Sequence, residues 1–214
     1  MDKSKDILII PRHQVTLRFI EVPSIDPSEL KSMVEFQALK ELPYSKEEIV
    51  TGFRNIGAYK NGFSYIMLAI VKRQLVEEMI AQRGSKPENI RLETESLYLY
   101  LVKKSIAKQD KVVLVINIRK DHSEIMIIDK TRPVFSRGIV NGDAWLEEIN
   151  RSLISYRRDR NNREIEEAVI MHSSDLSIEN IKPGIEAYFT YPMNFYEYKE
   201  DLNSISLPLE IDLL

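Results

Sequence analysis

The sequence predicts a mixed α/β fold, and three observations carry the prediction. Residues 15–22 alternate Val15, Leu17 and Phe19 against Thr16, Arg18 and Ile20, the period of a strand. Asp26-Pro27-Ser28-Glu29 then opens a helix: Asp26 as N-cap, Pro27 where no N–H is needed, and Glu29 three residues after the cap. Finally, three apolar runs between residues 112 and 135 form a meander, and a helix-period segment follows at Gly142–Arg157.

The elements follow in order. Ile7–Ile10 reads as a short strand, and Pro11 sits in the connection to the strand Val15–Val22. The helix opened by Asp26 shows Leu30, Met33, Val34 and Leu39 on one stripe and stops near Leu42-Pro43. Ile49–Ala58 and Phe63–Val71 are strands joined by Tyr59-Lys60-Asn61-Gly62, and Asn-Gly is a strong hairpin signal. Residues 66–71 are apolar on both faces, which predicts a central strand covered on both sides. Gln74–Arg83 is a helix with Leu75, Val76, Met79 and Ile80 inward, and Gly84 ends it. Lys86–Ile90 reads as a connector, Arg91–Glu95 as a short strand and Ser96–Lys104 as a helix. A charged turn, Lys108–Lys111, precedes the meander. In the helix after it, Trp145, Leu146, Ile149, Leu153 and Tyr156 share a face. Ala168–Met171 is a strand, and Ile185–Thr190 and Phe195–Tyr198 read as strand-like pieces before a tail.

Composition narrows the classes. The 214 residues suffice for one large domain or two small ones. A net charge of −3 supplies no basic field for nucleic acid or acidic lipid. There is no cysteine, which excludes a disulfide scaffold and a thiolate metal site. The three histidines, His13, His122 and His172, are far apart in sequence, so no zinc site is expected. No run approaches the roughly 18 apolar residues of a membrane span, and only four apolar residues precede Pro11, too few for a signal peptide.

The order of the pieces resembles the PilM family of type IV pilus assembly proteins and the cytoplasmic part of the GspL type II secretion proteins, both of the actin-like (FtsA-like) superfamily. Ile9-Ile10-Pro11, Val15, Arg18-Phe19-Ile20 and Pro23 resemble that family's opening strand pair. Glu29-Leu30, Val34-Glu35, Ala38 and Leu42-Pro43 resemble the helix that follows, and Ile66–Arg73 with Val76 the next strand-to-helix step. Glu93-Thr94-Glu95-Ser96-Leu97 resembles the segment returning to the core subdomain, and Phe135-Ser136-Arg137-Gly138-Ile139 with Gly142 the motif after the phosphate hairpin. The resemblance implies an RNase H-like actin-type lobe at residues 86–205, an inserted β-β-α-β-β-α subdomain at 5–85, and a tail at 206–214. It also implies an incomplete actin-like protein, because such proteins begin with a strand and an Asp-x-Gly phosphate loop that has no counterpart here.

The nucleotide motifs that remain are degenerate. A phosphate loop needs Gly, so that backbone N–H groups approach oxygen closely, and a carboxylate that holds Mg²⁺ through water. The hairpin carries Asn117-Ile118-Arg119 instead: Asn lacks the charge, and Arg119 adds bulk where Gly is wanted, though its cation could pair with phosphate. A solvent-exposed tip is the plain expectation. The adenosine motif is a Gly pair after a late strand, and here that strand runs into His172-Ser173-Ser174-Asp175. Ser174 or Asp175 would cap a helix near Leu176, and His172 has no identifiable catalytic partner. Glu93 and Glu95 could form a carboxylate pair on a strand, with exposed charge before a helix as the plainer expectation. The run Arg157-Arg158-Asp159-Arg160-Asn161-Asn162-Arg163 is diluted by Glu164, Glu166 and Glu167, so it reads as a solvated helix end, with an acidic partner or the membrane surface as the other reading.

Ile211-Asp212-Leu213-Leu214 resembles the motif that opens the PilN family, the membrane-anchored partner of PilM, and the other reading of the tail is an edge strand. The match would make the chain the cytoplasmic part of a PilM–PilN-like fusion, cut before its membrane span. The expectation is therefore a non-catalytic scaffold at the inner face of the bacterial inner membrane, with no cofactor, metal or nucleic acid. Its partners would be inner-membrane platform proteins and the motor ATPase, with a second copy also expected to be possible. The alternatives are an ATP-binding actin-like protein or an FtsA-like division adaptor.

Overall fold

The computed structural model describes residues 7–41, 43–107, 110–158 and 163–198. These divide into two compact units, one taking residues 7–10 and 14–92 and the other residues 11–13 and 93–198.

The first unit is built on strands β2 (Thr16–Val22), β3 (Ile49–Lys60) and β4 (Phe63–Lys72), in the antiparallel order β2-β4-β3. β4 is the central strand, as its two-faced apolar run predicts, and every residue from Ser64 to Val71 is buried. The strand period splits its side chains between two cores. Ile66, Leu68 and Ile70 meet Leu30, Val34 and Ala38 of α1 (Pro27–Glu41). Met67, Ala69 and Val71 meet Val76 of α2 (Arg73–Arg83) on the other face. Each buried Leu or Ile contributes roughly 2 kcal/mol.

α1 starts where its cap predicts. Asp26 Oδ1 accepts the Ser28 N–H at 2.8 Å. Glu29 turns outward to accept the Ser24 hydroxyl at 2.6 Å. The buried stripe is narrower than expected: Met33 and Leu39 stand exposed, because the sheet reaches only positions four apart on the helix. Gly62 closes the β3–β4 hairpin at φ +77, and Gly84 ends α2 in the same left-handed region. β1 (Ile7–Ile10) pairs in parallel with β5 (Asn89–Leu92), Ile7 opposite Asn89 and Ile10 opposite Leu92. The strand expected at 91–95 thus lies earlier, and helix α3 (Glu93–Lys103) begins where that strand was expected to continue. Glu93 and Glu95 in the first turn face the positive end of the helix dipole and favour that start.

The second unit is a five-stranded sheet in the order β10-β9-β6-β7-β8. β6 (Val112–Ile118), β7 (His122–Asp129) and β8 (Arg132–Val140) form the antiparallel meander. β9 (Glu167–Ser173) and β10 (Met193–Tyr198) join in parallel, after helices α4 (Trp145–Arg157) and α5 (Lys182–Tyr188) respectively. This is the arrangement expected of an RNase H-like actin-type lobe. Leu114, Ile116 and Ile118 pack with Ile149, Leu153 and Tyr156 of α4 on one face. On the other face the Tyr100 ring of α3 meets the Tyr198 ring at 6.4 Å. Two expectations fail here. Residues 185–190 are not a strand: Pro183 starts a helix, and Ile185 and Phe189, four apart, turn one face into the core. No helix starts at Leu176 for Ser174 or Asp175 to cap. A turn from Ser173 to Leu176 and one 3₁₀ turn at Ile178–Asn180 fill that stretch. Among the described residues no helix is long and apolar enough to cross a membrane.

Candidate functional site

The β6–β7 turn spans Arg119–Asp121, so Asn117 and Ile118 lie inside β6 and are buried, not at an exposed tip. Alternation decides which way they face. Ile116 and Ile118 enter the α4 core, and Asn117 enters the opposite face, with Glu124 of β7 as its cross-strand partner. Asn117 is 0% exposed, and neither atom of its amide makes a hydrogen bond. Asn141 fastens the turn from β8's end. Its N–H donates to the Asp121 carbonyl at 2.9 Å, and its side-chain amide donates to the Arg119 carbonyl at 2.7 Å.

One carboxylate gathers the polar side chains around this turn. Glu93, at the first position of α3, is 3% exposed. Its Oε1 lies 2.5 Å from Arg119 Nε, an ion pair in which the N–H is not aimed at the oxygen. Its Oε2 accepts the His122 ring N–H at 2.8 Å and the Arg12 backbone N–H at 3.0 Å. The other His122 nitrogen lies 3.1 Å from Asp121 Oδ1, so both ring nitrogens face carboxylates. The His13 ring sits 4.8 Å from the His122 ring. Arg12 spans to β8, donating to the Ser136 hydroxyl at 2.6 Å and to its carbonyl at 2.5 Å. The Ser136 hydroxyl in turn donates to Glu124 Oε1 at 3.0 Å. Thr94 faces Glu124 without an aligned hydrogen bond. Gly138 lets residues 12–13 lie on β8, since a Cβ there would fall 2.3 Å from the His13 nitrogen.

The electrostatics follow from these partners. Burial works to raise the Glu93 carboxyl, but the His122 hydrogen bond, the Arg119 cation and the Arg12 N–H outweigh it and hold it below its ordinary value. The Glu93 hydrogen bond raises His122 against the opposing effect of burial. Burial, with His122 beside it, lowers His13. Burial pushes the Glu124 carboxyl up to about 7, despite the Arg12 cation nearby.

The structure brings together Asn117 and Arg119 with residues that the sequence did not assign to a site: Arg12, His13, His122, Glu124 and Ser136. A glutamate inside an apolar strand and two of the three histidines were the available signals. Glu93 and Glu95 are not an exposed strand pair. They are buried in the first turn of a helix, where residues two apart point to different sides. His172, opposite Ile118 in β9, donates from its ring to the Ser173 carbonyl at 3.1 Å. The Ser173 hydroxyl contacts Asp175, and Ser174 is exposed. Arg137 pairs with Glu148 at 3.2 Å. In the basic run, Arg157 contacts the Tyr191 hydroxyl, and Arg163 pairs with Asp129 at 2.7 Å and Glu166 at 3.2 Å. Residues 159–162 lie outside the described residues, as do Ile211, Asp212, Leu213 and Leu214 of the tail. Among the described residues no three His, Asp or Glu side chains converge as a metal would need.

These two units and their strand order define an actin-like fold. Three solved structures share it. The PilM–PilN type IV pilus biogenesis complex aligns with 89% of this chain and 69% of its own, at TM-score 0.67 and 15% identity. The cytoplasmic domain of EpsL, an inner membrane component of the Vibrio cholerae type II secretion system, aligns with 92% of this chain and 71% of its own, at TM-score 0.50 and 12% identity. A Bacteroides thetaiotaomicron protein of actin-like ATPase fold and unknown function aligns with 89% and 67%, at TM-score 0.53 and 12% identity. No protein-family model matches the sequence, and no curated protein matches it in sequence. The likeness to PilM and to the secretion domain is one of fold, as the sequence resemblance implies.

Proposed function

We propose that this chain is a non-catalytic scaffold of a bacterial type IV pilus or type II secretion assembly. It works at the cytoplasmic face of the inner membrane and joins membrane-anchored platform proteins to the motor ATPase. The observation that carries the reading is the filled hairpin. Where the actin-like resemblance places a phosphate grip, Arg119, His122 and the Arg12 N–H already hold the Glu93 carboxylate. A buried anion with one cation and two N–H donors already on it competes directly with an incoming phosphate. Asn117 adds no charge for Mg²⁺, and it is enclosed. The fold shared with a pilus biogenesis complex and a secretion-system domain supports the assembly role.

Two measurements test the reading. Calorimetry of the intact chain with Mg-ATP is expected to show no saturable heat up to about 1 mM, and no phosphate release. Saturable binding with turnover overturns the non-catalytic part. Deleting the coding sequence from its host is expected to abolish pili or to retain secreted proteins inside. A deletion strain with normal pili and normal secretion overturns the assembly role.

A further inference from the structure

We propose that the β6–β7 turn is closed by a proton-operated latch, in which Glu93 fastens Arg119 and His122 above the buried Glu124, and which loosens as the pH rises through neutrality. The inference does not depend on the assembly role, because it concerns only groups within the second unit.

The geometry makes the turn answerable to protons. Glu93 holds Arg119 in the turn at 2.5 Å and His122 just after it at 2.8 Å, and these contacts tie the turn to α3. Charged and titratable groups face this point from every neighbouring element. α3 supplies Glu93, and the segment before β2 supplies Arg12 and His13. The turn itself carries Arg119, Lys120 and Asp121, and β7 carries His122 and Glu124. Tyr198 of β10 and Asp175 after β9 lie within electrostatic reach of Arg119.

Protons set the balance among them. On the acid side of neutrality His122 is a cation between two carboxylates, and Glu124 is a neutral carboxyl. Raising the pH through neutrality removes the Glu124 proton, and a further rise removes the proton that Glu93 helps His122 hold. The His122–Glu93 bond then loses its charge assistance. Glu124 becomes a second buried anion near Glu93, and Ser136 and Arg12 are drawn toward it. Arg12 also donates its N–H to Glu93, so the two carboxylates compete through one residue. Burial, and then His122, lower His13 and drive it toward its neutral form, so it does not oppose the change.

Amide hydrogen exchange of the intact chain tests the latch. The Arg119 N–H, bonded to the His122 carbonyl at 3.0 Å, and the Asn141 N–H, bonded to the Asp121 carbonyl at 2.9 Å, report closure of the turn. After correction for intrinsic rates, their protection is expected to fall about tenfold between pH 6 and pH 8. Glu124→Gln is expected to reduce the fall to about threefold or less. Glu93→Gln is expected to leave both amides weakly protected at both pH values. Circular dichroism at each pH verifies that every variant compared is folded. If Glu93→Gln does not fold, the wild-type and Glu124→Gln profiles still decide the matter. Wild-type protection that stays within about twofold overturns the proposal, and so does a Glu124→Gln profile as steep as the wild type.

Discussion

Replacing Glu93 with Ala takes from Arg119 and His122 the carboxylate they share. Urea denaturation is expected to show a loss of about 2–4 kcal/mol, toward the low end because Arg119 keeps some contact with water. Glu124 gives a different signature. Its folded pKa of about 7 lies above the ordinary carboxyl value, so the folded state holds that proton more tightly than the unfolded chain. Stability from this group is greatest in acid and falls as the pH rises toward 7. Glu124→Gln is therefore expected to abolish about 2–3 kcal/mol of the stability lost between pH 5 and pH 8, read from denaturation curves at both pH values. The neighbours set the rest of the window. His122, raised, contributes stability that is present below its unfolded value near 6.5 and lost as the pH rises through its folded value. Glu93, lowered, contributes stability that is present above its unfolded value near 4.5 and lost as the pH falls through its folded value. Together they place the optimum on the mildly acid side of neutrality. The sequence picked out the β6–β7 hairpin but not its state. Asn117 and Arg119 were legible as the residues at and beside its turn, whereas their burial depends on α3 and on residues 12–13, which no local pattern reveals. Arg12 and Ser136 are 124 positions apart, so their pairing follows only from the fold.

Turns show the same division between legible and hidden. Asn61-Gly62 announces the β3–β4 hairpin, and Gly62 takes the positive φ that its residue type favours. The β7–β8 turn announces nothing, because Lys130 and Thr131 both take positive φ without being Gly or Asn. A β-branched residue is strained there, and the demand comes from the two-residue loop closing Asp129 against Arg132. Replacing Lys130-Thr131 with Asn-Gly is expected to raise stability by about 1 kcal/mol, measured as a higher urea midpoint with unchanged slope. Gly138→Ala is expected to act the other way, lowering the melting temperature by several degrees, because backbone rather than a flexible side chain meets the new methyl. Strands with clean alternation and the capped α1 were readable. The starts of α3 and α5 were misread, because short apolar runs carry no decisive period and tertiary burial chose for them.

Over the whole molecule, each unit closes its own apolar cores. Ile149 lies in the core of the second unit, while the β4 side chains fill two cores in the first. Ile149→Ala is expected to cost about 3 kcal/mol, and its effect on hydrogen exchange should concentrate in residues 93–198 rather than 14–92. The separation of cores is not a separation of chain. β1 and β2 belong to the first unit, yet Pro11–His13 between them belong to the second. A fragment beginning at Glu93 would therefore leave a gap in its own wall. Gly138 would lie bare, Ser136 would lose the guanidinium it binds, and Glu93 would lose the Arg12 N–H. The second unit is thus stitched from two stretches of sequence, and only a spliced fragment would keep both.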